Sequence, residues 1–184
     1  MKDTRQLIID AAITIFNNDY SAALDVIAEK AGVHRRTLHL YFKSRQELID
    51  SCKSNMLATC KQAMTEAYNA SSDPVKQLEL MLYAGIDCGV KYSFLNKLYG
   101  NSNYAEVPEA EKNGTFDTIK HRWFKIIEHL QNQQIISNQL PVAWIFTLFS
   151  GMITNAIDAG RSGDIAPNSI KNFAWYSFSK GIGL

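Results

Sequence analysis

Apolar residues recur every three or four positions along most of this chain and almost nowhere alternate with polar ones. That periodicity predicts helices and leaves no strand signal. Leu7, Ala11, Ala12, Ile15 and Phe16 make the stripe of a first helix, and Leu24, Ile27, Ala28 and Ala31 that of a second. Gly32 then suits the positive-φ position that ends a helix. A short third helix, roughly 34–41, carries Thr37, Leu38 and Tyr41. Ser44 with Glu47 three residues on is a capping box. The long helix behind it repeats Leu48, Cys52, Met56, Cys60, Ala63 and Ala67 and would run roughly 35 Å.

The polar stretch 69–73 breaks that helix, and Pro74 fits the first turn of the next, with Leu78, Leu82 and Ile86 inward. Residues 94–99 form a short helix, and 100–114 are polar and loop-like. The segment 115–133 is helical, with Phe116, Ile119, Trp123, Ile126, Ile127 and Leu130 on its apolar face. Pro141 opens a helix ending near Gly160, and Asn168 caps a last one over 169–180. The expectation is an all-α fold of about nine helices.

Composition narrows this picture. The 184 residues carry a net charge of +1 and are 46% hydrophobic, enough for a core without metals or disulfides. Three cysteines, an odd count without a CxxC pair, argue against a disulfide framework. Cys52 and Cys60 lie two helical turns apart, about 12 Å, beyond disulfide reach. His121 and His129 meet the same objection as a chelating pair. No HExxH, nucleophile elbow or Gly-rich phosphate loop occurs, so no cofactor and no enzyme activity is expected. The apolar segment 142–157 is interrupted by Thr147, Ser150, Gly151, Thr154 and Asn155, too short and polar for a membrane span. The start of the chain lacks a signal peptide's apolar core, and a soluble, cytoplasmic protein is expected.

Charge is local. Lys30, Arg35, Arg36, Lys43 and Arg45 fall within residues 30–45, and no acidic residue does. Two short helices joined by a glycine turn make a helix-turn-helix, whose second helix enters the major groove of DNA. Arg35 and Arg36 in its first turn suit guanine O6 and N7 or the groove edge. Thr37 suits a phosphate or a thymine methyl; His39, Tyr41, Lys43 and Arg45 suit phosphate oxygens, and His34 the turn.

These residues carry a family resemblance. Ala11, Ala12 and Phe16, then Ile27, Ala28, Ala31, Gly32 and Val33, then Thr37, Leu38, Tyr41 and Phe42, then Lys43 to Leu48, resemble the DNA-binding domain of TetR-family transcriptional regulators. The resemblance implies a homodimer, a double-stranded DNA operator, a DNA-binding domain over 1–46 and an effector-binding and dimerisation domain over 47–184. It implies a repressor released by a small-molecule effector, with His34 at the head of the reading helix and Arg45 in the place of a phosphate-binding lysine. The connection between the first two helices is shorter than the family's, with Ser21 placed to substitute for its capping residue.

The same resemblance puts Tyr83 and Trp123 at an effector cavity, and few inward charges argue for a largely apolar or aromatic effector. The last two helices then supply the dimer interface through Ile145, Leu148, Phe149, Met152, Phe173 and Ser177. A helical binding or scaffold protein that has lost specific DNA binding is the alternative reading.

Overall fold

The computed structural model describes residues 3–99 and 116–184. Among them lie α1 (Thr4–Asn18), α2 (Leu24–Lys30), α3 (Arg35–Tyr41), α4 (Arg45–Asn69), α5 (Pro74–Lys91), α6 (Ser93–Tyr99), α7 (Phe116–Asn132), α8 (Val142–Ser162) and α9 (Pro167–Gly181), and no strand. The expected loop 100–114 lies outside the described residues. Helix ends follow local chemistry. Asp3 caps α1, its carboxylate accepting from the Arg5 N–H. The Ser44 hydroxyl accepts from the Glu47 N–H at 3.1 Å, while the Glu47 carboxylate accepts from the Lys43 N–H at 2.6 Å. Two expected ends shift: Gly163 at φ 76°, rather than Gly160, closes α8, and α9 opens with Pro167, one residue before Asn168.

Backbone contacts divide the chain into two units, residues 3–59 with 91–99, and 60–90 with 116–184. The division falls inside α4, not between residues 46 and 47. The physical reason is that the first half of α4 buries Leu48, Ile49, Cys52 and Met56, and α6 returns to the same unit.

In the first unit Ile8, Ala12, Phe16, Ile27, Leu38, Phe42, Leu48 and Phe94 share a core. Burying a large apolar side chain of this kind contributes about 1.5–3 kcal/mol. Phe16 meets the Phe94 ring at 5.4 Å. Asn17 fixes the start of α6, its Oδ1 accepting from the Phe94 N–H at 3.0 Å while its Nδ2 donates to the Lys91 carbonyl at 2.8 Å.

The second unit packs α5, α7, α8 and α9 around Leu82, Ile86, Trp123, Ile127, Phe149 and Phe178. Trp123 sits among Phe124, Phe146 and Phe149, its ring 5.1–5.4 Å from theirs. Gly85 and Gly89 let α5 approach α8: a Cβ at Gly85 would come within 2.6 Å of Ile153 Cδ1. Gln131 pins the α7–α8 connection by donating to the Ser137 and Leu140 carbonyls at 2.9 and 2.8 Å.

Among the described residues α8, 21 residues long with an 18-residue stretch of mean hydropathy 1.3, is long and apolar enough to cross a membrane by those two measures, contrary to the sequence expectation. Its Ile145, Phe149, Ile153, Ala156 and Ile157 are buried in the unit's core.

The cysteines are a second correction. Cys60 of α4 and Cys88 of α5 are disulfide-bonded, with Cα atoms 5.8 Å apart, and Cys52 alone is free. Spacing along one helix compares Cys52 with Cys60 and is blind to a pair formed across two helices.

Candidate nucleic-acid interface and effector cavity

The turn before α3 takes its shape from Gly32, at φ 68°. The Val33 N–H reaches back to the Ala28 carbonyl at 3.0 Å, the six-residue closure of a helix ended by a left-handed glycine. Leu38 and Phe42 then anchor α3 in the core, and the opposite side of the helix faces solvent.

That solvent side carries most of the residues singled out from sequence. His34, Arg35, Arg36, Tyr41 and Lys43 are exposed; Thr37 and His39 are half-buried. Arg35 pairs with Asp25 of α2 at 2.9 Å, both side chains more than half exposed. Such a pair contributes about 0–1 kcal/mol, so a phosphate or base edge can displace it. No described residue pairs with Arg36. Leu40, 67% exposed, is an apolar side chain among these donors that sequence reasoning missed. The signal was there: Leu38 and Phe42 share the inward face, which turns Leu40 outward.

Arg45 is a correction. Its Nη1 donates to the Ala22 carbonyl at 2.7 Å, and its guanidinium lies over the rings of Phe16 at 4.7 Å and Tyr20 at 5.0 Å. Its Nη2 is buried with no partner among the described residues. An arginine held this way closes the short α1–α2 connection instead of reaching a phosphate. In that connection Ser21 donates from its N–H and hydroxyl to the Asp19 carboxylate at 2.8 and 2.6 Å, which hold the carboxyl below its ordinary value. The α2 N-cap, Ala23, has no side-chain cap.

The second unit holds a partly open cavity of about 110 Å³. Cys60, Lys61 and Met64 of α4, Met81, Gly85 and Cys88 of α5, Ile119, Lys120 and Trp123 of α7, and Phe146, Phe149, Ser150 and Ile153 of α8 line it. Two lysines and no carboxylate stand among them. Trp123 is buried, and its indole Nε1 has no hydrogen-bond partner among the described residues. A buried donor left this way costs free energy that an incoming acceptor recovers.

Tyr83, the other residue expected here, is absent from the lining. Its hydroxyl donates to Glu79 at 2.8 Å, and burial foremost, then that bond, pushes its pKa up to about 12. Lys61, Lys120, Cys60 and Cys88 joined the cavity without a sequence signal, since only the packing of α4, α5 and α7 brings them together.

The expected dimer face needs a correction too. Ile145 and Phe149 are 0% and 2% exposed, so they belong to the core of the second unit. The stripes rotate outward instead: Trp144, Phe173, 57% exposed, and Tyr176, 65% exposed, point to solvent with Ser177. Leu148 and Met152 are half-buried beside them.

Comparisons with known proteins agree with the all-helical fold and its helix-turn-helix. The family described as bacterial regulatory proteins, tetR family, matches residues 8–52. The HTH-type transcriptional repressor LfrR of Mycolicibacterium smegmatis is 25% identical over 160 residues, 87% of this chain and 80% of that protein. The uncharacterized HTH-type transcriptional regulator YhgD of Bacillus subtilis is 27% identical over 99 residues, 53% of this chain and 52% of its own length. Among solved structures, the TetR-like regulator LfrR from Mycobacterium smegmatis in complex with proflavine superposes with a TM-score of 0.72 at 24% identity, covering 98% of this chain and 97% of that one. The TetR-family regulator PfmR from Thermus thermophilus gives 0.70 at 17% identity, covering 100% and 97%.

Proposed function

We propose that the chain is a ligand-responsive DNA-binding regulator of the TetR family, which matches its residues 8–52, and that it represses by reading an operator through α3. The observation that carries this reading is the exposed face of α3: an unpaired Arg36, a weakly held Arg35, and Lys43 beyond them, with no carboxylate between residues 30 and 45. Arg35 and Arg36 contact base edges, Leu40 makes an apolar contact in the groove, and His34, Thr37, His39, Tyr41 and Lys43 position the phosphates. The DNA-reading part is residues 1–59, to the middle of α4.

The reader is a homodimer. Trp144, Phe173, Tyr176 and Ser177, flanked by Leu148 and Met152, pack against the same surface of a second copy, a two-fold arrangement. Paired half-sites roughly 34–36 Å apart are what two such helices read.

The effector enters the cavity beside Trp123. Its walls suit an apolar or aromatic body, and Lys61, Lys120 and the Trp123 indole N–H suit an acceptor oxygen, neutral or anionic. LfrR has been crystallised with proflavine. A cationic ligand here would meet two ammonium groups and, among the described lining residues, no carboxylate. A cavity of about 110 Å³ is small beside typical ligand sites of about 300–1,000 Å³, so a larger ligand must push its walls apart. One of those walls is α4, whose first half belongs to the DNA-reading unit. The coupling this generates is bounded by the ligand's differential affinity for the two arrangements.

Selection of fragments from the native genome by the full-length protein tests the reading. Retained fragments are expected to bind at least about a thousandfold more tightly than random DNA at matched salt. Equal retention of both would leave the protein a ligand binder without an operator, the reading that the inward-turned Arg45 favours.

A further inference from the structure

Cys60 and Cys88 are the feature that DNA reading does not use. They come from different helices, are joined to each other, and both line the cavity. A protein that reads an operator shares a compartment with DNA, where free thiols are generally kept reduced and a disulfide is transient, catalytic or redox-sensing. A bonded pair in such a place is a reversible site more readily than a structural staple. The third cysteine gives the contrast: Cys52 is fully buried, unbonded and absent from the cavity lining.

The surroundings favour thiol chemistry. Lys61 follows Cys60 in sequence, Lys61 and Lys120 line the same cavity, and among the described lining residues no carboxylate does. Nearby cations favour the thiolate, which is the reacting form. Cys60 is half-buried and Cys88 is buried, so Cys60 is the sulfur an oxidant reaches first.

We propose that Cys60 and Cys88 form a reversible dithiol–disulfide site in the wall of the effector cavity, oxidised by organic hydroperoxides, and that its redox state changes what the cavity admits. In the first step the Cys60 thiolate attacks the terminal oxygen of the hydroperoxide. The O–O bond breaks, a cysteine sulfenic acid forms, and the organic part leaves as an alcohol after taking up a proton. The Cys88 thiol then displaces water from that sulfenic acid, forming the S–S bond. Two thiols and one hydroperoxide give one disulfide, one alcohol and one water. Two unbonded sulfurs need more room than a bonded pair, and here that room comes from the cavity wall. The reversibility rests on the chain being a DNA reader, and the change in admission on the cavity being its effector site; the pairing of Cys60 with Cys88 at the cavity wall rests on neither.

The test uses the full-length protein, reduced and then exposed to cumene hydroperoxide. Alkylation under denaturing conditions is expected to fall from three thiols to one, with the intact mass lighter by two hydrogens and a peptide linking Cys60 to Cys88. Dithiothreitol is expected to restore all three. Anilinonaphthalene sulfonate, an anionic aromatic probe, is expected to bind the two forms with affinities differing at least threefold. Cys60→Ser is expected to abolish both changes, whereas Cys88→Ser is expected to stop at a Cys60 sulfenic acid, heavier by one oxygen and without the linking peptide, both variants keeping the helical circular dichroism. Three thiols surviving the hydroperoxide, oxidation that dithiothreitol does not reverse, or identical dye affinities in the two forms would each overturn the proposal. If either serine variant does not fold, the peptide map and dye affinities of the wild type still decide it. Operator retention by the reduced protein is scored separately, so loss of DNA reading is not mistaken for loss of the redox site.

Discussion

The Arg45 guanidinium donates to the Ala22 carbonyl at 2.7 Å, bridging the start of α4 to the connection between α1 and α2. It also covers two aromatic rings, Phe16 and Tyr20. A charged hydrogen bond contributes about 1.5–3 kcal/mol and a stacked cation about 0.5–2 kcal/mol more. Arg45→Ala is therefore expected to destabilise the protein by about 2–5 kcal/mol in urea unfolding. Arg45→Lys is expected to recover only part of this, because an ammonium lacks the planar fork. A variant of unchanged stability but weakened operator binding would return Arg45 to the phosphates.

Arg36 and Lys43 should separate specificity from affinity. Arg36→Ala is expected to cost about 1–3 kcal/mol on the selected operator and to relax the preference at one base pair. Lys43→Ala is expected to weaken all sequences alike and lower the slope of log affinity against log salt by about 1. Fluorescence anisotropy titrations over a salt series distinguish the two. Identical signatures would contradict the division of labour on α3.

The outward aromatics of α8 and α9 predict the assembly. Phe173→Glu and Tyr176→Glu each place a charge where an apolar contact is expected, at a cost of about 2 kcal/mol or more to association. Analytical ultracentrifugation is expected to find monomers at concentrations where the wild type is dimeric. Dimers that persist in both variants would move the interface elsewhere.

Burial foremost, with the Asp10 charge adding to it, pushes the Cys52 thiol up from 9.0 to about 12. The folded state thus holds this proton more tightly than the unfolded chain does. The stabilisation is complete below pH 9.0 and is lost as pH rises from there toward 12, at up to about 1.4 kcal/mol per pH unit. The wild-type urea midpoint should fall more steeply across that window than that of Cys52→Ala. Parallel curves would show that Cys52 ionises outside the core.

Much of this was readable in advance. The spacing of Leu38 and Phe42 against Ile27 and Ala28 sets the helix-turn-helix, and Gly32 is where it must turn. The capping box from Ser44 to Glu47 marks the start of α4. Such signals act within a few residues and survive any tertiary arrangement. What failed depended on packing between distant segments. Tyr83 and Trp123 are both aromatic on amphipathic helices, yet only Trp123 faces the cavity. Ile145 and Phe149 look no different from Phe173 until α5 and α7 cover one side of α8 and α9. Arg45 looked like a phosphate ligand because charge alone does not reveal a carbonyl at Ala22 within its reach.

Leu40 sets a requirement on the operator itself. A hydrocarbon tip in a groove has no lone pair to offer or proton to give, so the thymine C5-methyl is the base feature it fits best. Synthetic operators carrying uracil for thymine at the facing step should bind more weakly by about 0.8 kcal/mol, one buried carbon's worth. Where that step carries cytosine instead, its five-methyl derivative should bind more tightly than plain cytosine by a similar amount, so base methylation would tune this regulator without altering a hydrogen-bonding contact.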